Sequence, residues 1–220
     1  LGIRDLDAIS DEDKARIQRI HLLLAMFNAF QPGVFAVSGW DLVGALPLPA
    51  SSVESLMSDG DTRWIERGAY DLGNVAPEAT ASKAGLPRAR SLYGPIQEQL
   101  KNPDSFCGQL KRLLAVRQAY GIHASRQTAV PDVKSPALLL MIHDLPDGRG
   151  TQITALNFGP EPIEETVTLA GVQPGPVVDM VQETIRGDLS ETGEYTVRLD
   201  GYEGLSLRIV SALAPVAPPV

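Results

Sequence analysis

Near residue 125 the repeat of apolar residues in this chain changes from that of a helix to that of a strand. Downstream, "PALLLMIHDL", "TQITALNF", "IEETVTL", "PVVDMVQE", "EYTVRLD" and "GLSLRIV" are short runs separated by Gly, Pro and Asp. Tyr195, Val197 and Leu199 alternate with Thr196, Arg198 and Asp200, so each strand offers one apolar face. Leu205, Leu207 and Ile209 repeat the pattern, and "LPDGRG" is a hairpin signal between the first two runs. The spacing predicts an antiparallel β-sandwich over 125–211, followed by a Pro-rich tail at 212–220 with nothing to bury.

Upstream, the period is helical. "SDEDKARIQRIHLLLAMFNAF" opens on Ser10 as a cap, with acids in the first turn. Ile17, Ile20, Leu24 and Phe27 form one stripe, and Leu22, Leu23, Ala25 and Met26 fill most of the remaining circumference. A helix apolar on nearly all sides is expected to be packed deep in a larger body. Pro32 and Gly33 end it, and "VFAV" reads as a buried strand, which makes the αβ step of a parallel fold. One strand cannot make a parallel sheet, so its partners are expected upstream of Leu1. "SSVESLMSDG" reads as a short helix with Ser51 and Glu54 as a capping box. Residues 45–103 form a long excursion rich in Pro, Gly, Ala and Ser from 73 onward. A second helix follows in "NPDSFCGQLKRLLAVRQAYG", capped by Asp104 or Ser105. Phe106, Leu110, Leu113, Leu114 and Tyr120 make its apolar face, and Gly121 ends it. Lys111, Arg112 and Arg117 are read as its solvated outer face.

Charge and composition exclude some functions. With 220 residues and a net charge of -8, the chain lacks the basic surface that nucleic acid requires. No apolar run reaches the about 18 residues of a membrane span. The single cysteine, Cys107, rules out an internal disulfide and suits a cytoplasmic protein. It reads as a core residue rather than a nucleophile, because no activating base lies near it in sequence. His21, His123 and His143 lack metal-ligand spacing, and "SDGDTR" lacks the Lys of a phosphate loop. "DGDT" has an acidic look but not the spacing or terminal Glu of a calcium hand. No cofactor and no metal is expected.

Four segments carry a family resemblance: "QPGVFAVSGWDLVGALPL" (31–48), "DGDTRWIERGAYDL" (59–72), "LPRARSLYGP" (86–95) and "ALNFGPEPI" (155–163). In this order, with "LDGYEGLSLRIV" closing the last strand, the chain resembles the end of the α-amylase superfamily, glycoside hydrolase family 13. Within it, the four segments resemble the trehalose synthase (maltose α-D-glucosyltransferase) family. The resemblance covers nearly the whole chain. It implies an α+β fragment: the last β/α step of a (β/α)8 barrel over 1–124, then the C-terminal sandwich. "SGWDLVG" departs from the wider superfamily in having Trp40 where many relatives carry a small or acidic residue.

The implied activity is interconversion of maltose and trehalose by intramolecular glucosyl transfer through a glucosyl-enzyme, which requires a nucleophilic carboxylate and a carboxylic general acid. In the family these acids and a third, sugar-holding one follow barrel strands that would precede Leu1. No catalytic residue is therefore assigned here, and this fragment alone is expected to be inactive. Residues just after a barrel strand face the substrate, so Trp40 and Asp41 are candidate pocket wall. Their structural alternative is that Trp40 packs under the excursion and Asp41 caps a turn. Arg63, Trp64 and Arg67 are candidate sugar contacts if 59–72 is a lid. They are members of a salt-bridged plug if it is structural. Expected partners are a maltose or trehalose substrate and the remainder of the barrel, with homo-oligomer formation left open. An amylase-type hydrolase and a non-catalytic carbohydrate-binding or interaction module are the rival readings.

Overall fold

Ser10 opens the first helix as its sequence suggests. The structure, a computed structural model, describes residues 1–3 and 5–210, so the tail expected at 212–220 lies outside the described residues. Helix α1 spans Asp11–Ala29. The Ser10 hydroxyl accepts from the Asp13 amide at 3.1 Å and donates to the Asp13 carboxylate at 2.8 Å. Leu23, Ala25, Met26 and Ala29 are buried, while Leu24 is 48 % exposed. The helix is therefore covered on one side and not all round, because its apolar residues exceed the surface available to cover them.

The end of α1 corrects the reading of Arg117. Helix α4 spans Phe106–Ala119, and Arg117 near its C-terminal end is buried rather than part of a solvated face. Its guanidinium donates to the backbone oxygens of Ala29, Gln31 (2.7 Å) and Gly33. A helix end leaves carbonyls without partners, and Arg carries five N–H donors in a planar fork. Lys111 and Arg112 are exposed as expected. Ser105 caps α4 by accepting from the Gly108 amide at 3.1 Å, and Gly121, with φ of 65°, ends it.

"VFAV" is a second correction. Residues 34–38 form no strand among the described residues, and Val34 is 96 % exposed. No neighbouring strand among the described residues offers a ladder to this segment, and Val34, Ala36 and Val37 stay exposed while Phe35 is half-buried. Helix α2, Gly39–Val43, begins directly after it.

The excursion is ordered with little regular structure. "SSVESLMSDG" forms two 3-10 turns, Ala50–Ser52 and Glu54–Leu56, instead of one capped helix. The capping box occurs at Ser38 and Asp41 instead. A third 3-10 turn spans Thr62–Glu66, and helix α3 spans Ile96–Gln99. Isolated bridges join Ala45 to Ser91, Ala69 to Arg88 and Ala81 to Pro87. Leu48, Val53 and Ala89 make a small core with Trp64 and Ile65 against it. Arg88 Nη1 donates to the carbonyls of Ala76, Pro77 and Ala79 and so ties down the polar part of the loop.

Eight antiparallel strands follow: β1 Arg126–Ala129, β2 Leu138–Asp144, β3 Thr151–Asn157, β4 Ile163–Thr168, β5 Gly175–Asp179, β6 Ile185–Leu189, β7 Glu194–Leu199 and β8 Gly204–Ile209. Six are those read from alternation. β1 and β6 are additions, and neither shows a clean apolar period: β1 is exposed throughout and β6 carries Gly187 at its centre. One sheet has the order β1-β2-β3-β8-β5-β6 and the other is the pair β4-β7. Their facing sides bury Leu140, Ile142, Ile153, Val177 and Leu207 against Val167, Tyr195, Val197 and Leu199. The opposite side of the larger sheet packs Met141, Leu145, Leu156 and Met180 against Leu23, Met26, Phe30 and Leu113 of the helices.

The described residues cluster into two compact units that do not follow chain order. One holds Leu1–Gln18 and Ala36–Gln109; the other holds Arg19–Phe35 and the chain from Leu110 onward. The boundary expected at 124/125 separates helical from strand elements, whereas the units divide within both long helices.

Candidate functional site

The residues singled out in the sequence all belong to the unit that contains the excursion. They form two groups. The first is built on α2. Ser38 is extended and Gly44 is left-handed at φ of 60°, which compresses "SGWDLVG" into one short helical turn with glycine at its exit. Asp41 accepts from the Ser38 amide at 3.1 Å and from the Ser38 hydroxyl at 2.7 Å. Trp40, 36 % exposed, meets the edge of Tyr70 with ring centroids 6.0 Å apart. A Cβ on Gly44 would lie 2.7 Å from the Tyr93 ring, so glycine there lets the aromatic ring lie against the turn. Burial pushes the Tyr93 phenol well above its ordinary range, and the Asp41 charge pushes it further. Tyr93 in turn stacks on Phe106 at 5.1 Å.

Beneath this turn lies a polar clamp. The buried Gln99 amide donates to the carbonyls of Leu42 (2.7 Å) and Gly94 (2.9 Å), and its oxygen accepts from the Cys107 amide. The Cys107 thiol donates to Leu42 O at 3.3 Å, and burial pushes its pKa up. A thiol raised in this way is a packing group and not a nucleophile.

The second group is the charged stretch after residue 58. Arg63 binds Asp61 through Nε at 2.7 Å and Nη2 at 2.9 Å, and Arg67 reaches the same carboxylate at 3.5 Å. The Arg67 guanidinium also lies 4.9 Å from the centre of the Trp64 ring. Hydrogen bonds from Arg63 hold the Asp61 carboxyl down to about 2. Asp71 is also lowered, chiefly by the amides of Ala76 and Val75. Both acids are fully ionised at neutral pH, so neither can serve as a proton-donating acid there.

Arg63, Trp64 and Arg67 thus form one interlocked set with Asp61, and Trp40 and Asp41 form another with Tyr70 and Tyr93. The sequence reading set Tyr70 beside Trp64 in the charged stretch, whereas it meets Trp40, and it overlooked Tyr93, Gln99 and Arg88. Tyr70 and Tyr93 lie inside the quoted segments, and their placement depends on loop geometry, which has no period. Exposed aromatic faces beside a carboxylate can stack on a sugar ring and accept its hydroxyls. Glycosyl transfer needs a protonated carboxylic acid beside a carboxylate nucleophile, and the shifted carboxyl groups here all move toward ionisation, so none of these is held protonated. Among the described residues no cluster of His, Cys, Asp or Glu is placed to hold a metal ion. No helix of the described residues is long and apolar enough to cross a membrane.

No family model and no curated protein sequence matches the chain. Solved structures do match. Trehalulose synthase from Pseudomonas mesoacidophila MX-45 aligns over 87 % of this chain and 38 % of its own, with a TM-score of 0.64 and 14 % identity. A mutant of that synthase in complex with glucose aligns over 94 % of this chain and 41 % of its own, with a TM-score of 0.66 and 14 % identity. A mutant isomaltulose synthase from Erwinia rhapontici NX5 in complex with D-glucose aligns over 92 % and 39 %, with a TM-score of 0.60 and 11 % identity. The chain spans about two fifths of the length of these structures. At such identities the likeness is one of fold alone: the helices, the excursion and the antiparallel β-sandwich of this chain share the fold of part of these structures.

Proposed function

We propose that this chain is the C-terminal part of a trehalose-synthase-like glucosyltransferase that interconverts maltose and trehalose. One observation carries the reading. The fold likeness to enzymes called trehalulose and isomaltulose synthases extends over most of the chain, helices and excursion included, and not over the sandwich alone. A free-standing carbohydrate-binding module would account only for the sandwich. In this reading the catalytic acids belong to the rest of a barrel, and the largely exposed apolar segment 34–37 is a barrel strand whose neighbours come from it. Trp40 and Asp41 then stand at the rim of the sugar pocket. The substrate stays enclosed while the released glucose turns and attacks the glucosyl-enzyme through another hydroxyl, and a site closed to water favours this over hydrolysis.

One of the matched structures holds sucrose, described as its substrate, which makes sucrose isomerisation the second reading. The test is to assay the full-length protein with maltose, trehalose and sucrose separately. Trehalose formed from maltose with little free glucose supports the first reading. Turnover of sucrose alone supports the second. Release of glucose alone from maltose would make the enzyme a hydrolase and overturn both. The 220-residue chain by itself is expected to turn over none of the three sugars.

A further inference from the structure

The helix-facing side of the larger sheet contains a buried polar row. His143 on β2 pairs in register with Gln152 on β3, and Gln152 pairs with Arg208 on β8. His143, Gln152, Thr154 and Ser206 are each 0 % exposed. Gln152 Nε2 donates to Ser206 Oγ at 3.0 Å and to Thr154 Oγ1 at 3.2 Å, and Ser206 Oγ donates to Met180 Sδ. The row is only half satisfied. Both ring nitrogens of His143, Gln152 Oε1 and Arg208 Nε have no hydrogen-bond partner among the described residues. Cross-strand neighbours have Cβ atoms about 5 Å apart, so the side chains that carry these unmatched atoms are adjacent across three strands.

We propose that His143 is an acid-sensitive lock on the sandwich: its neutral ring closes the sheet against the helices, and protonation opens that packing. An imidazolium here would be a fully buried charge on the sheet face that also carries Met141, with no carboxylate in its row to pair with. The charge within the row is that of Arg208, a cation whose guanidinium lies 5.2 Å from the Tyr120 ring centre. On the sheet, Arg126 and Asp144 pair with each other, and Asp179 pairs with Arg186. On the helical side, Arg117 is bound to carbonyls, Arg19 reaches Gly201 O, and Lys111 and Arg112 are exposed; His21 and His123 are the other titratable groups. Burial is what acts on the ring, and it lowers the His143 pKa below the ordinary 6.5.

The unfolded chain therefore takes up a proton at a pH where the folded chain does not. Stability is unaffected by His143 well above pH 6.5 and falls as the pH drops below it, until the folded-state pKa is reached. One such proton changes the folding equilibrium by up to about tenfold per pH unit. The test combines histidine NMR on the 220-residue chain with urea unfolding at about pH 7.5, 6.5 and 5.5, for the wild type and for His143→Gln and His143→Leu. The expected result is a His143 signal that titrates below 6.5, and a loss of stability between the upper and lower pH that both variants reduce by up to about tenfold. A His143 signal that titrates at or above 6.5 overturns the proposal, and so does an unchanged pH dependence in the variants. If neither variant folds, the titration of the wild-type ring decides.

Discussion

At the scale of single residues, Arg117 and Asp61 show opposite uses of charge. Arg117 is buried and saturates carbonyls that α1 and its following turn leave unpaired. Arg117→Met keeps most of the volume and removes the donors, so about 3 kcal/mol of stability should be lost, read as a drop in urea midpoint. Arg117→Lys should restore only part of it, because an ammonium cannot span three carbonyls as a planar fork does. Asp61 works at the surface, bridging Arg63 and Arg67. Its folded pKa of about 2 lies below the ordinary 3.8 of a free side chain. The stabilisation it provides is therefore complete above pH 3.8 and is lost as the pH falls through about 2. Carboxyl NMR should place this midpoint near 2 in the wild type, and Arg63→Gln should move it back toward 3.8.

At the scale of elements, the corner between β7 and β8 is the tightest join in the sandwich. A Cβ on Gly201 would sit 1.9 Å from the backbone oxygen of Pro160, and Tyr202 after it is left-handed at φ of 57°. Glu203 accepts from the Asp200 amide and closes the turn. Backbone cannot give way as a side-chain tip can, so Gly201→Ala should cost about 2–4 kcal/mol or prevent folding. Gly171→Ala isolates the other cost of replacing glycine: Gly171, unlike Gly201, is left-handed, at φ of 76°, and has open space around it, so the change should cost about 1 kcal/mol. Thermal unfolding of the two variants separates steric clash from conformational preference.

At the scale of the whole molecule, two units are woven from a chain that crosses between them more than once. The activity we propose is that of a longer protein in which this chain would be the C-terminal part, so its tests use that protein. In that protein Asp41→Asn should change maltose turnover or the ratio of isomerisation to hydrolysis by about tenfold if Asp41 accepts a sugar hydroxyl in the transition state. Unchanged kinetics with a lowered melting temperature would assign Asp41 to the Ser38 turn alone. Hydrogen exchange over residues 60–72 with and without maltose addresses the charged stretch in the same way: protection on binding marks a lid, and none marks the plug held by Asp61.

How much was legible in the sequence follows from periodicity. Six of the eight strands and both long helices repeat apolar residues at a fixed interval, and local geometry converts that interval into a buried face. The cap at Ser10 and the stop at Gly121 are also local, because a small set of residue types meets each backbone requirement. β1 and β6 were not legible, since they gain their place by pairing at an edge and not by burying a repeat. Arg117 looked like a surface cation, because its partners are carbonyls 84 to 88 positions away. His143 and Gln152 looked like ordinary strand residues, because what covers them is a helical layer from elsewhere in the chain. The same holds for the Trp40–Tyr70 and Asp41–Tyr93 neighbourhoods. The sequence by itself determined the two long helices and the six periodic strands, through the free energy of hiding apolar side chains at a regular spacing. Only the tertiary structure decided which polar groups are buried together, since a hydrogen bond depends on where distant backbone arrives and leaves no period to read.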